Sequence, residues 1–219
     1  MKLIIKMKAV FFFLFCILSF SCTKEIDKSK TLPFYNSEDF TPEWISKTAA
    51  NYNRIHKVAP FKFTNQNGKI VSNKNFEGKI YVADFFFTTC PSICPILAKN
   101  MSKLQEEYKN DKDILLLSHS VMPWVDSVEK IKKYAIENNV IDNKWHLVTG
   151  DRDEIYNIAR TSYFADEDFK KTKDENEFIH TENFVLIDTK GRIRGVYNGT
   201  LALDIKRLKR HIEILKQEN

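Results

Sequence analysis

Buried-strand patterns alternating with helical ones predict an α/β fold for this 219-residue chain, with a partly parallel sheet covered on both faces. Three features carry that expectation. The apolar run "KIYVADFFF" leads directly into two cysteines, "DILLLSHS" and "WHLVTG" repeat the strand pattern with a helical stretch between them, and a hairpin followed by a helix closes the chain.

The first element is a short β-hairpin in "APFKFTNQNGKIVS", where Asn65 to Gly68 form a turn between two alternating runs. "KIYVADFFF" is continuously apolar and rich in β-branched and aromatic residues, the pattern of a strand buried on both faces. After Thr88 and Thr89, Pro91 and Pro95 suit the first turn of a helix, and "ILAKNMSKLQEEY" continues with helical periodicity. "DILLLSHS" is a second buried strand, "SVEKIKKYAIEN" a helix opened by Ser127, and "WHLVTG" a third strand. "DRDEIYNIARTSY" is a helix with acids in its first turn. "NFVLID" and "RIRGVYNG" flank the turn "TKG", and "LDIKRLKRHIEILKQ" ends the chain as a helix. Cysteines at a strand-to-helix junction within this order describe a thioredoxin-like fold with an added N-terminal β-hairpin.

Composition is that of an ordinary globular domain, 43% hydrophobic and 29% charged. A chain of this length buries enough core to fold without disulfides, so its four cysteines are candidates for chemistry. Lys2, Lys6 and Lys8, then the apolar run from Ala9 to Phe20, have the layout of an export signal over residues 1–21. About twelve apolar residues span ~18 Å as a helix, short of the ~30 Å hydrocarbon core, which favours a cleaved signal over a spanning anchor. Ser19 and Ser21 before Cys22 resemble a bacterial lipoprotein box, in which Cys22 becomes the lipidated first residue. Residues 22–50 then read as a polar tether, and residues 51–219 as the folded domain.

Removing residues 1–21 leaves 31 basic against 29 acidic residues, a net charge of +2. The mature charge is interspersed, as in "KKTKDEN", and offers no basic face for nucleic acid. Cys16 leaves with the signal and Cys22 is taken by lipid, so Cys90 and Cys94 remain for chemistry.

Two cysteines four residues apart at a helix start face the same way, and the helix N-terminus favours thiolate over thiol. A disulfide closing so short a loop is worth only ~2 kcal/mol in the chain-entropy account, a poor reason for a purely structural bridge. Redox exchange and metal binding both remain. The spacing in C-P-S-I-C is one residue longer than the usual redox C-x-x-C, and two soft thiolates form an incomplete copper site that an imidazole would complete. A peroxidase on the same fold is a weaker third reading, since no peroxide-activating environment is visible.

Among the five histidines, His56 and His211 read as solvent-facing and His146 as a packed or edge residue. His180, in "EFIHTENFVLID", approaches the strand that opens the terminal hairpin. His119 ends "DILLLSHS" at the carboxyl edge of the sheet, where Cys90 also emerges, which makes it a candidate fourth ligand or hydrogen-bond partner of a ligand.

The stretch "FFFTTCPSICP", the histidine and strand of "HTENFVLID", and "WHLVTGDRDEIYNIA" between them resemble the Sco/SenC family over roughly residues 58–215. These are thioredoxin-like copper-binding proteins that assist assembly of the copper centre of cytochrome c oxidase. The resemblance implies that Cys90, Cys94 and His180 bind copper, as Cu(I) or Cu(II). It also implies a partner in the cell envelope, either a copper-accepting oxidase subunit or a thiol protein, with the chain held to a bacterial membrane by lipid and its domain outside the cytoplasm. A thiol–disulfide oxidoreductase using Cys90 and Cys94 as its redox pair is the alternative. Where many members carry an acidic segment after the second strand, this chain has "SHSVMPWVDS". Members are commonly tethered by a transmembrane helix rather than by lipid.

Overall fold

The structure is a computed structural model and describes residues 27, 30–166, 179 and 181–218. The expected export signal, the Cys22 lipid site and His180 therefore lie outside the described residues. In chain order the strands are β1 (Phe34–Tyr35), β2 (Pro42–Glu43), β3 (Lys62–Asn65), β4 (Ile70–Ser72), β5 (Ile80–Phe86), β6 (Ile114–Ser120), β7 (Trp145–Thr149), β8 (Asn183–Ile187) and β9 (Ile193–Asn198). The α-helices are α1 (Cys94–Glu107), α2 (Val128–Glu137), α3 (Arg152–Asn157) and α4 (Ala202–Glu218).

Strands β3 to β9 form one sheet in the order β4-β3-β7-β6-β5-β8-β9. β5, β6 and β7 run parallel, with Ile80 opposite Ile114 and Phe86 opposite Ser120. Parallel neighbours need long crossovers, and α1 and α2 supply them. The antiparallel β8–β9 hairpin extends the sheet beyond β5, and the predicted β3–β4 hairpin extends it beyond β7. That first hairpin turns through Gly68 at φ +70°, while the Asn65 side chain accepts from the amides of Asn67 and Lys69.

Local chemistry sets the helix ends. Ser127 caps α2 by accepting from the Lys130 amide, and Asp151 caps α3 by accepting from the amides of Asp153 and Glu154. α3 passes into a π-helical turn, Ile158–Ser162. α1 begins at Cys94, later than the sequence pattern places it. A helix starting at Pro91 would hold Pro95 beyond its first turn, where the missing N–H and the ring break the ladder; starting at Cys94 keeps Pro95 among the residues that need no N–H partner.

The sheet divides the core in two. One face, under α1, α2 and α4, buries Val82, Phe86, Cys94, Met101, Leu104, Ile131, Leu208 and Ile212. The other, under α3 and its π turn, buries Phe63, Phe76, Phe85, Leu117, Ile155 and Tyr163. Each fully buried large side chain contributes roughly 1.5–3 kcal/mol by leaving water.

The described part of the expected tether is not free. Leu32 and Phe34 are buried, β1 pairs with β2, and Arg194 on β9 donates to the carbonyls of Leu32 and Pro33. The Arg192 and Arg194 guanidiniums lie over the Phe34 ring, 4.7 and 4.2 Å from its centroid. Two apolar residues in a polar stretch thus find partners about 160 positions later, a long-range pairing that local composition does not carry. Among the described residues, no helix is long and apolar enough to cross a membrane.

Candidate functional site

β5 delivers the chain to the carboxyl edge of the sheet, and the turn Thr88–Thr89 brings it back toward α1. Cys90 sits in the loop before the helix, half-buried, with its amide donating to the Phe87 carbonyl; Cys94 is the first residue of α1 and is 4% exposed. Both are free thiols.

Their environments differ sharply. Partial burial pushes the Cys90 thiol up, but hydrogen bonds from the Cys94 amide and thiol and from the amides of Ser92 and Ile93 outweigh it and hold Cys90 below its ordinary value. This is the anion-binding geometry of a helix start, concentrated on one sulfur. Cys94 is pushed up to about 12, first by burial and further by the neighbouring Cys90 sulfur and the Asp84 carboxylate, against an opposing bond from the Phe87 amide. Both thiols were expected to be activated together. The helix start instead favours thiolate at Cys90, while Cys94 remains a buried thiol directed at it.

Three further residues support this edge. Asp126, fully buried, accepts from the Thr88 amide at 3.2 Å, from the Thr88 hydroxyl at 2.6 Å and from the Ser120 hydroxyl, tying the loop after β6 to the turn that carries Cys90. Asp84, in the middle of β5 and 2% exposed, accepts from Ser118, whose oxygen in turn receives the Trp145 indole N–H at 2.8 Å. Burial raises the Asp84 carboxyl to about 7 against the opposing Ser118 bond. Tyr134 of α2 stacks on Phe86 at 5.2 Å and packs against the core that holds Cys94. A lone acid inside an apolar strand was the available signal for Asp84. Asp126 has no local signal, since its partners come from β6 and the β5 turn.

His119 does not join the cysteines. It lies opposite Phe85 in the β5–β6 register and points through the other face of the sheet, fully buried, with Phe61, Phe63, Phe85 and Tyr163 around it at ring separations of 5.2 to 6.0 Å. Side chains alternate along a strand, so Ser118 and Ser120 take the cysteine side and His119 the opposite one. Among the described residues neither ring nitrogen makes a hydrogen bond of good geometry, and burial, opposed only by the nearby Asp84 backbone carbonyl, lowers its pKa to about 3.

The remaining described histidines are occupied elsewhere. His146 is buried, as expected of a packed residue. His56 and His211, expected in solvent, are half-buried: His56 Nε2 bonds the Ser162 carbonyl at 2.9 Å, and His211 Nδ1 the Tyr197 hydroxyl at 2.8 Å. Among the described residues no cluster of three metal-ligating side chains is present.

The SCO1/SenC family model matches residues 49–215. A SCO1/SenC family lipoprotein from Bacillus anthracis is 31% identical, with a TM-score of 0.64 over 78% of this chain and 99% of that one. BsSco, a member of the Sco family of cytochrome c oxidase assembly proteins in which a disulfide switch has been identified, is 30% identical, with a TM-score of 0.61 over 74% and 94% of the two chains. ScoI of Bradyrhizobium japonicum, solved with copper bound, is 27% identical at a TM-score of 0.55, over 71% and 99%. With a matching family model over most of its folded domain, and a cysteine pair at the carboxyl edge of a thioredoxin-like sheet, the chain belongs to the SCO1/SenC family.

Proposed function

We propose that this protein is a membrane-tethered copper-binding protein of the cell envelope, which delivers copper to a cytochrome c oxidase copper centre or prepares that centre's cysteines. The observation that carries the reading is the unequal cysteine pair, one half-buried sulfur favoured as thiolate in the loop before α1 and the other buried against it. Two thiolates suit Cu(I), and an imidazole as third ligand lets the same site hold Cu(II). Cys90, Cys94 and His180 are the proposed ligands, and lipid on Cys22 the proposed anchor. Copper is cargo. It leaves by ligand exchange as a partner's thiolates replace Cys94 and Cys90 in turn, and oxidation of the pair to a disulfide removes the site.

Binding must displace the proton held by Cys94, so affinity is expected to rise with pH. A Cu(I) competition titration of reduced residues 23–219 against a chromophoric chelator, beside His180→Ala, tests the assignment. One-to-one binding weakened at least ~100-fold by the substitution is expected, beyond the roughly 10–100-fold that losing only a hydrogen-bond partner of a ligand costs. Binding that is indifferent to His180 removes it from the site.

The same asymmetry favours one alternative, a thiol–disulfide oxidoreductase in which Cys90 attacks a partner disulfide and Cys94 resolves the mixed disulfide. In that role His180→Ala retains activity and Cys90→Ser abolishes it. A metal-independent reductase rate insensitive to His180 would select this reading.

A further inference from the structure

Asp27, the first described residue, lies at the edge of the sheet opposite the cysteines. β5 runs from Ile80 to Phe86 and releases the chain toward Cys90, so the Phe86 end is the cysteine edge. β8 is antiparallel to it, with Ile187 opposite Tyr81, so the β8–β9 turn at Thr189–Gly191 lies at the Ile80 end. The Gly78 amide bonds the Thr189 carbonyl there at 3.2 Å. Asp27 lines a cavity of about 730 Å³ together with Thr31, Phe34, Lys47, Thr189 and Lys190. The segment after Asp27 is pinned at this end to the last turn of α4. The Leu32 amide donates to Glu218 at 2.7 Å, the Arg194 guanidinium bonds the same carboxylate at 2.7 Å, and Lys47 donates to the Glu218 carbonyl at 3.3 Å.

Only residues 23–26 separate Cys22 from Asp27. Five extended steps span at most ~18 Å. We infer that the lipid surface faces the Ile80 edge of the sheet and that the cysteines are held on the side facing away from it. The inference rests on the lipid anchoring of Cys22 proposed above. The length of β5 alone, about 23 Å, separates the two edges. The site therefore stands between about 20 and 40 Å above the bilayer, and a partner must present its acceptor thiols at that height.

Charge does not impose this orientation. The edge is mixed in sign: Lys79 pairs with Asp113 at 2.8 Å, and Lys216 with Asp111 at 2.8 Å. A short tether at this edge does the work. The arrangement is thus sensitive to tether length and not to salt.

Four glycine amides report it directly. Gly78 and Gly191 lie at the proposed membrane edge, and Gly150 and Gly199 follow β7 and β9 at the cysteine edge. The mature lipidated chain in nanodiscs containing a gadolinium-headgroup lipid should show relaxation of the Gly78 and Gly191 amides enhanced severalfold over Gly150 and Gly199. A twenty-residue Gly/Ser spacer inserted after residue 26, with an end-to-end distance near ~25 Å, should abolish most of that gradient. A flat or reversed gradient on disc-bound protein, or one that survives the spacer unchanged, overturns the orientation while leaving the anchoring intact. Failure of the mature chain to associate with the discs overturns the anchoring and the orientation together.

Discussion

At the carboxyl ends of β5 and β6 the two faces of the central sheet hold their buried ionisable groups differently. On the cysteine face, every acid brought inside is bonded: Asp84 to Ser118, and Asp126 to Thr88 and Ser120. On the other face, one residue along β6, His119 sits among aromatic rings with no hydrogen bond of good geometry among the described residues. A bonded network restrains the loops that hold the sulfurs, whereas an aromatic box confers stability and tolerates a polar group only while it stays neutral. The carboxyl edge of the sheet is therefore tied by hydrogen bonds on the cysteine side, and both faces carry a pH-sensitive group, Asp84 on one and His119 on the other, of opposite sign.

The largest expected effect comes from breaking the network. Asp126→Ala leaves the Thr88 amide and two hydroxyls without their acceptor in a largely buried site, and about 3 kcal/mol of unfolding free energy should be lost. Urea denaturation of the reduced protein measures it. A loss below about 1 kcal/mol would mean that the Thr88 turn is held by the β5–β6 pairing alone, and that the contrast between the faces is cosmetic.

Next in size is an opposition of pH slopes. Burial lowers His119 to about 3, against ~6.5 unfolded. Its contribution is fully present above ~6.5 and is lost as pH falls, because the unfolded chain takes up the proton first. Asp84 behaves inversely. Its carboxyl is raised to about 7, against ~3.9 unfolded, so its contribution is present below ~3.9 and is lost as pH rises toward 7. Between about pH 4 and 6.5 the two slopes, each up to ~1.4 kcal/mol per pH unit, oppose each other. Relative to the parent protein, His119→Leu should make stability fall more steeply with rising pH, and Asp84→Asn should make it climb. Each difference amounts to a little under ~3 kcal/mol across the window. Because slopes are compared, a constant packing penalty from either substitution drops out. Parallel curves for both variants would erase the distinction between the faces.

How much of this was legible in sequence follows from the range of the interactions. The order of strands and helices was readable because it rests on local signals: β-branched runs in β5 and β6, Ser127 and Asp151 at helix starts, and Gly68 in a hairpin turn. The cysteine pair was readable for the same reason. Unequal titration of its two sulfurs was not, because it depends on how deeply α1 sets Cys94 against β5. Position along β6 alone puts His119 at the cysteine edge. Strand alternation separates it from Ser118 and Ser120, but the face that α1 covers is a tertiary choice. The polar stretch ahead of the domain hid Leu32 and Phe34, whose partners, Arg192 and Arg194, belong to the last strand of the sheet.

The smallest expected effect sharpens the cysteine face itself. The Asp84 carboxylate is one of the influences that raise Cys94, after burial and the Cys90 sulfur. Asp84→Asn removes its charge and keeps a polar group beside Ser118, so the Cys94 thiol should ionise somewhat more readily while remaining well above Cys90. Measured in a Cys90→Ser background, Cys94 alkylation by iodoacetamide at pH 8 should accelerate on the order of threefold, the equivalent of less than about 1 kcal/mol. Cys90 alkylation, followed separately in Cys94→Ser, should hardly change, because the amides of Ser92, Ile93 and residue 94 stabilise its thiolate and none of them bonds Asp84. Equal acceleration at both sulfurs would point to a general loosening of the edge. A response confined to Cys94 identifies Asp84 as a group on the face of the sheet that keeps the buried sulfur protonated until something at the site takes up both thiolates.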